Sequence, residues 1–185
     1  MRKLSSILLA GAVALSALGA IAYAGNPMVG GAPMYANKNI VENAVNSKDH
    51  TTLVAAVTAA GLVETLQGPG PFTVFAPVNS AFDALPAGTV ETLLKPENKD
   101  KLVKILTCHV ISAKAMSADV MKMVQDDGGM HKVKTVGGCE LTLKAEDGKV
   151  TVWDENGNGA TVTIADVEQS NGVIHVIDKV LLPKM

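Results

Sequence analysis

The chain has 185 residues, of which 48% are apolar, 18% charged and 3% aromatic; its formal net charge is −2 and it has two cysteines. That length holds one domain of ordinary size, and the apolar share is too high for a disordered chain. The slightly acidic balance excludes a basic nucleic-acid face, and six aromatic residues are too few for a base-stacking platform.

In chain order, Arg2 and Lys3 precede an uncharged apolar stretch from Leu4 to Ala22, which ends in Ala22-Tyr23-Ala24 before Gly25. This is the pattern of a signal peptide over residues 1–24, with a small-x-small cleavage site. Without those residues, 14 lysines face 18 acids, giving a net charge of −4, and no arginine remains. A chain without Arg lacks the bidentate fork for carboxylate or phosphate. Export also bears on Cys108 and Cys139, because an oxidising compartment favours a bridge over two buried thiols or a metal pair.

Residues 25–37 are rich in Gly, Pro and small side chains and predict a flexible N-terminal arm, with the folded domain over 38–184. Apolar spacing predicts a helix over 39–46. A second, with Asp49 or Thr51 as N-cap, carries Leu53, Val54, Val57 and Ala60 and stops at Gly61. After the Gly68-Pro69-Gly70-Pro71 turn, residues 72–76 predict a short buried strand halted by Pro77. Asn79 or Ser80 is then expected to cap a helix that turns Ala81, Phe82 and Leu85 inward. Helices are expected near 88–95, 97–107 and 117–126, with an extended segment from Cys108 to Ser112.

From His131 onward, strands are predicted at 131–136, 139–145, 149–153, 160–165 and 173–182, separated by Gly-containing turns. Helices followed by antiparallel strands define an α+β fold.

Two segments carry a family resemblance. Thr73-Val74-Phe75-Ala76-Pro77-Val78-Asn79-Ser80-Ala81-Phe82 resembles the first conserved box of fasciclin domains, and residues 171–183 (Asn171-Gly172-Val173-Ile174-His175-Val176-Ile177-Asp178 and onward) resemble the closing box. The resemblance covers roughly residues 37–184 and implies a wedge of two small β-sheets with a layer of short helices. It marks Thr73, Phe75, Pro77, Asn79, Phe82, His109, Asn171, Gly172, His175 and Asp178 as motif positions. The physics of both boxes is mainly structural. His175 reads as a hydrogen-bonded group at a sheet surface, and His109 as a buried structural histidine. Animal members have a Tyr-His pair implicated in integrin binding where this chain has Cys108-His109, so that activity is not carried over.

No nucleophile, phosphate-cradling or metalloprotease motif occurs. Asp126, Asp127, Asp154 and Glu155 read as solvated turn acids, and 154–159 lacks the ligand spacing of a calcium loop. Met116, Met121, Met123 and Met130 beside His131, with Met28 and Met34 in the arm, offer soft ligands for Cu(I), or filling for a core poor in aromatics. The expectation is an exported, non-enzymatic fasciclin domain acting in adhesion or matrix interaction. It would be secreted, periplasmic or on the cell surface, have a surface or matrix protein or glycan as partner, and need no cofactor. The alternative is a periplasmic protein that binds a small molecule or copper in a groove between helices and sheet.

Overall fold

The computed structural model describes residues 25–184; the signal peptide expected over 1–24 lies outside the described residues. The helical half comprises α1 (Ile40–Ala44), α2 (Thr51–Ala60), α3 (Val63–Gln67), α4 (Asn79–Asp83), α5 (Thr89–Leu93), α6 (Lys99–Thr107) and α7 (Ser117–Asp126). Within and after it come β3 (Phe72–Pro77), β4 (Val110–Ile111), β5 (Met130–Lys134), β6 (Glu140–Glu146), β7 (Lys149–Trp153), β8 (Gly159–Gln169) and β9 (Gly172–Ile177). A small hairpin, β1 (Met28–Val29) and β2 (Ala32–Pro33), precedes them.

The main strands run in the spatial order β4-β3-β9-β8-β7-β6-β5. Each neighbouring pair is antiparallel except β3 and β9, which are parallel. The two small sheets of the wedge share β8. Its pairing with β9 shifts register between Val162 and Ile164 and again between Ile164 and Val167, and such bulges bend a strand so that one strand serves two sheets. This is the α+β wedge that the sequence suggests. The parallel pair is the feature a purely antiparallel reading omits.

Strand β3 is buried along nearly its whole length because both faces are covered. Val74 and Ala76, with Ile174 and Val176 of β9, face the helices and pack with Ile40, Leu53, Val57, Leu66 and Leu106. Phe75 and Ile177 face the opposite way, joining Val120 and Val124 of α7 and Leu141, Leu143 and Val152 of the hairpin strands. The period-two alternation of a strand thus divides one apolar run between two cores.

Two expectations change. Residues 25–37 are not a free arm: Val29 pairs with Ala32, Met34 N–H donates to the Pro27 carbonyl at 2.9 Å, and Val29 and Met34 are buried in the helical core. The segment is docked by these two apolar side chains together with backbone bonds, the Gly30 carbonyl accepting the Lys48 N–H at 3.1 Å and Tyr35 bonding to Asn43. The closing strand, expected over 173–182, ends at Ile177. There Asp178 turns aside to accept the Thr161 N–H at 2.7 Å, and the chain beyond leaves the ladder, with Leu181 and Leu182 bonding to other elements.

Candidate functional site

The two boxes lie side by side at the centre of the fold, where β3 and β9 run in register from Phe72↔Gly172 to Pro77↔Ile177. Their entry point is built from Asn171. Its Oδ1 accepts the Ile40 N–H at 3.1 Å, its Nδ2 donates to the Leu66 and Gly68 carbonyls at 2.8 and 3.0 Å, and its own carbonyl accepts the Phe72 N–H at 3.1 Å. One residue therefore joins α1 and the end of α3 through its side chain and the start of β3 through its backbone carbonyl. Backbones approach so closely here that a Cβ on Gly172 would stand 2.1 Å from the Phe72 carbonyl oxygen, and one on Gly70 only 1.9 Å from that of Asn171. Glycine is required at both positions.

Further along the pair, Thr73 is fully buried. Its hydroxyl donates to the Ala113 carbonyl at 2.5 Å and accepts the Ala115 N–H at 2.9 Å, which pins the loop before α7. Phe75 stacks on His175 with ring centroids 5.8 Å apart. His175 is buried beneath that loop rather than lying at an open sheet surface: its Nε2–H donates to the Ala115 carbonyl at 2.8 Å, and its Nδ1 accepts the Asp166 N–H at 3.3 Å. Burial lowers its pKa, partly opposed by the Ala115 carbonyl and the Asp166 charge.

His109 is held in the same way. Its Nδ1–H donates to the Ile105 carbonyl at 2.8 Å, and its Nε2 accepts the Leu181 N–H at 2.9 Å. Burial drives its pKa down to about 4, against smaller upward pulls from the Ile105 carbonyl and Asp154. His50, bonded through Nδ1 to the Ser47 hydroxyl at 2.8 Å, is lowered by burial too. All three imidazoles are neutral links between backbone segments. Beside His109, Cys108 is bridged to Cys139 with their Cα atoms 5.4 Å apart, tying the end of α6 to the start of β6. Both members of the Cys108-His109 pair are buried, and neither presents a surface to a partner.

Asn79 departs from the expected local cap. Helix α4 begins at Asn79 itself, with Val78 in the N-cap position and no side-chain cap. The Asn79 Oδ1 instead accepts the Thr52 N–H at 3.0 Å and the Thr51 hydroxyl at 3.2 Å, while its Nδ2 donates to the Lys48 carbonyl at 2.8 Å. It caps α2 from across the fold. Neither Asp49 nor Thr51 does so, since His50 occupies that N-cap position without a side-chain bond. Phe82, one turn further, is buried in the helical core.

Three polar residues have roles that the sequence pattern did not reveal. Asn43 is fully buried on α1, exchanging hydrogen bonds with both backbone groups of Tyr35 and donating to the Gln169 side chain. An Asn on the apolar side of a helix was the available signal. Asp166 sits in the irregular part of β8 and caps α7 in trans, accepting the Ser117 N–H at 2.6 Å as well as its hydroxyl. Asp154, read as a solvated acid, is buried. It accepts the Asn156 and Asn158 N–H groups at 2.9 Å and the Leu182 N–H at 3.0 Å, closing its own turn and holding the chain end. Among the described residues no buried side-chain N or O atom lacks a hydrogen-bond partner. No group of three His, Cys, Asp or Glu side chains there is arranged to hold a metal ion. The methionines divide between sites, with Met34 in the helical core and Met121 and Met123 packed against the opposite one.

Between α1, α2, α3 and the helix-facing side of β3 lies a cavity of about 340 Å³. Its walls include Val41, Val54, Val57, Leu62 and Val74, and none of its lining residues is Asp, Glu, Lys or Arg.

A fasciclin domain model matches residues 48–183. Protein sll1483 of Synechocystis is 58% identical over 146 residues, covering 79% of this chain and 74% of that protein. The immunogenic protein MPB70 of Mycobacterium bovis is 34% identical, covering 76% and 66%. The transforming growth factor-beta-induced protein ig-h3 of Sus scrofa is 39% identical over 71% of this chain, which spans only 17% of that much longer protein. Among solved structures, a FAS1 domain pair from the insect cell adhesion molecule fasciclin I superposes with a TM-score of 0.55 at 26% identity, covering 68% of this chain and 42% of that one. The fold and its paired central strands define an α+β wedge of the fasciclin type. The chain belongs to the fasciclin domain family.

Proposed function

We propose that this protein is an exported, non-enzymatic fasciclin domain that acts by binding at a cell surface or in the surrounding matrix, its partner a surface protein or glycan. One observation carries the reading. The motif polar side chains bond within the fold: Thr73, Asn79, Asn171, His175 and Asp178 of the two boxes, and His109 between them, each bond to the backbone of a separate segment. None is left with a free functional group beside a second one, as acid–base or nucleophilic chemistry requires. The boxes build a frame, and recognition falls to the outer surface that the frame holds still. The likeness to a domain pair of an insect cell adhesion molecule supports the same reading. A bridged Cys108–Cys139 suits an oxidising compartment, and no helix among the described residues is long and apolar enough to cross a membrane.

The test is attachment. Deleting the gene in the source organism should reduce adherence to its natural surface, and restoring the full chain should recover it. The exported form should begin at Gly25 by mass spectrometry. Unchanged adherence of the deletion strain, together with failure of the immobilised protein to retain cells, would overturn the proposal.

A further inference from the structure

The cavity behind β3 lies against the frame just described, which gives it Val74, Ile174 and His109 as wall residues, and its chemistry is specific. Its volume of about 340 Å³ falls at the lower end of the range that small-molecule sites occupy, roughly 300–1,000 Å³. The walls are overwhelmingly aliphatic. Phe72 is the phenyl group on this side, since the Phe75 ring faces the opposite core, so no pair of phenyl rings sandwiches a flat ligand, and with no acid, lysine or arginine there is nothing to neutralise a buried charge. Ordered water would need two to four polar partners. His50 and His109 are among the lining residues, and their imidazoles are already bonded to Ser47 and to Ile105 and Leu181.

The helices around the space are more apolar than the core requires. On α2, Leu53 and Val57 are buried in the core, yet Val54 on the same helix is left half-exposed and lines the cavity. Val45, more than half exposed, also lines it, as do the exposed residues Thr58 and Thr65, the Thr58 hydroxyl donating to the Val54 carbonyl at 2.8 Å and keeping its acceptor lone pairs. Uncharged aliphatic depth with polar groups where the space reaches solvent suits an amphiphile with its chain inside and its head outside.

We propose that this cavity is a binding site for a single unbranched aliphatic chain, the acyl chain of a free fatty acid or of a membrane lipid, with its polar head left in solvent near Thr58 and Thr65. The surface-binding role does not depend on this site, so either can fail alone.

The test uses the full chain and cis-parinaric acid, a linear polyene fatty acid whose fluorescence rises in an apolar pocket. Saturable one-to-one binding, displaced by stearate and by uncharged hexadecanol alike, is expected, because the site holds the chain and not the charge. Displacement by phosphatidylglycerol vesicles as well assigns the source to membrane lipid; displacement by the single-chain compounds alone assigns it to free amphiphiles. Ala44→Trp and Val54→Trp, each placing an indole into the cavity from a half-exposed helix position, should weaken binding at least tenfold with an unchanged circular dichroism spectrum. Should either variant fail to fold, methyl NMR of the unsubstituted protein decides, with stearate expected to shift the Leu53, Val54 and Val57 methyls. Absence of saturable binding, unaltered affinity in both folded tryptophan variants, or shifts confined to methyls elsewhere would overturn the proposal.

Discussion

The Nε2 of His109 accepts the backbone N–H of Leu181 at 2.9 Å, joining the turn after α6 to a chain end 72 residues later. The bond requires an unprotonated nitrogen, and burial keeps it so by lowering the pKa from 6.5 to about 4. An unfolded chain binds that proton at the ordinary value. This contribution to stability is therefore complete above pH 6.5 and is lost as pH falls from there towards 4. The full loss is about 3 kcal/mol. His50 and His175, also lowered by burial, act with the same sign. Urea midpoints measured between pH 7.5 and 4 should fall steadily, and His109→Gln, less stable at pH 7, should show a shallower fall. A midpoint independent of pH across that window would contradict the arrangement.

Asn79 caps α2 rather than its own helix, so its replacement should be felt at Thr51–Thr52 and not at α4. Asn79→Ala removes the acceptor for the Thr52 N–H and the donor to the Lys48 carbonyl, a loss of about 1–2 kcal/mol. Asn79→Asp keeps the acceptor and should recover part of it. Amide hydrogen exchange reads the location: in the alanine variant the first turn of α2 should lose protection. Loss confined to α4 would mean that the cap is local after all.

The bridge between Cys108 and Cys139 spans a sequence separation of 31. In the chain-entropy account, closing such a loop is worth about 4 kcal/mol. Replacing both cysteines with alanine should lower stability by about 2–4 kcal/mol, and intact mass should rise by two hydrogens when the unsubstituted protein is reduced. Equal masses before and after reduction would show the thiols free.

Much of this fold is legible in the sequence because its signals are local. The apolar run of 72–76 ending at Pro77, the periodic helix around Leu53 and Val57, and the glycine turns between the later strands each need only a few neighbouring residues to be recognised. What escapes is whatever depends on two distant segments. The parallel pairing of β3 with β9 leaves no local mark, because a strand buried on both faces looks the same whichever way its neighbour runs. Capping misleads for the same reason: Asn79 has the spacing of a cap for α4, but its side chain serves a helix that precedes it by some thirty residues. Asp154 looks like any turn acid until Leu182 is folded over it. The docked hairpin at Val29 and Met34 is hidden by composition, since its glycines and prolines suggest a loose segment while its buried side chains and its bonds to Lys48 and Asn43 are made to distant residues.

Gly172 offers the sharpest test of the paired boxes. A methyl group there would lie 2.1 Å from the Phe72 carbonyl oxygen, and the obstructing atom belongs to backbone in the middle of the domain, which cannot swing aside as a side-chain tip would. Relief requires β3 and β9 to separate at the end where Asn171 also grips α1 and α3. Gly172→Ala should therefore cost about 3 kcal/mol or more, with Gly70→Ala, facing Asn171 at 1.9 Å, comparably severe. Gly25→Ala, which meets nothing within 4 Å, should stay within about 0.5 kcal/mol of the original. Denaturant titration of the three variants measures the contrast. If Gly172→Ala proved as mild as Gly25→Ala, the two boxes could not lie as closely as the register from Phe72↔Gly172 requires.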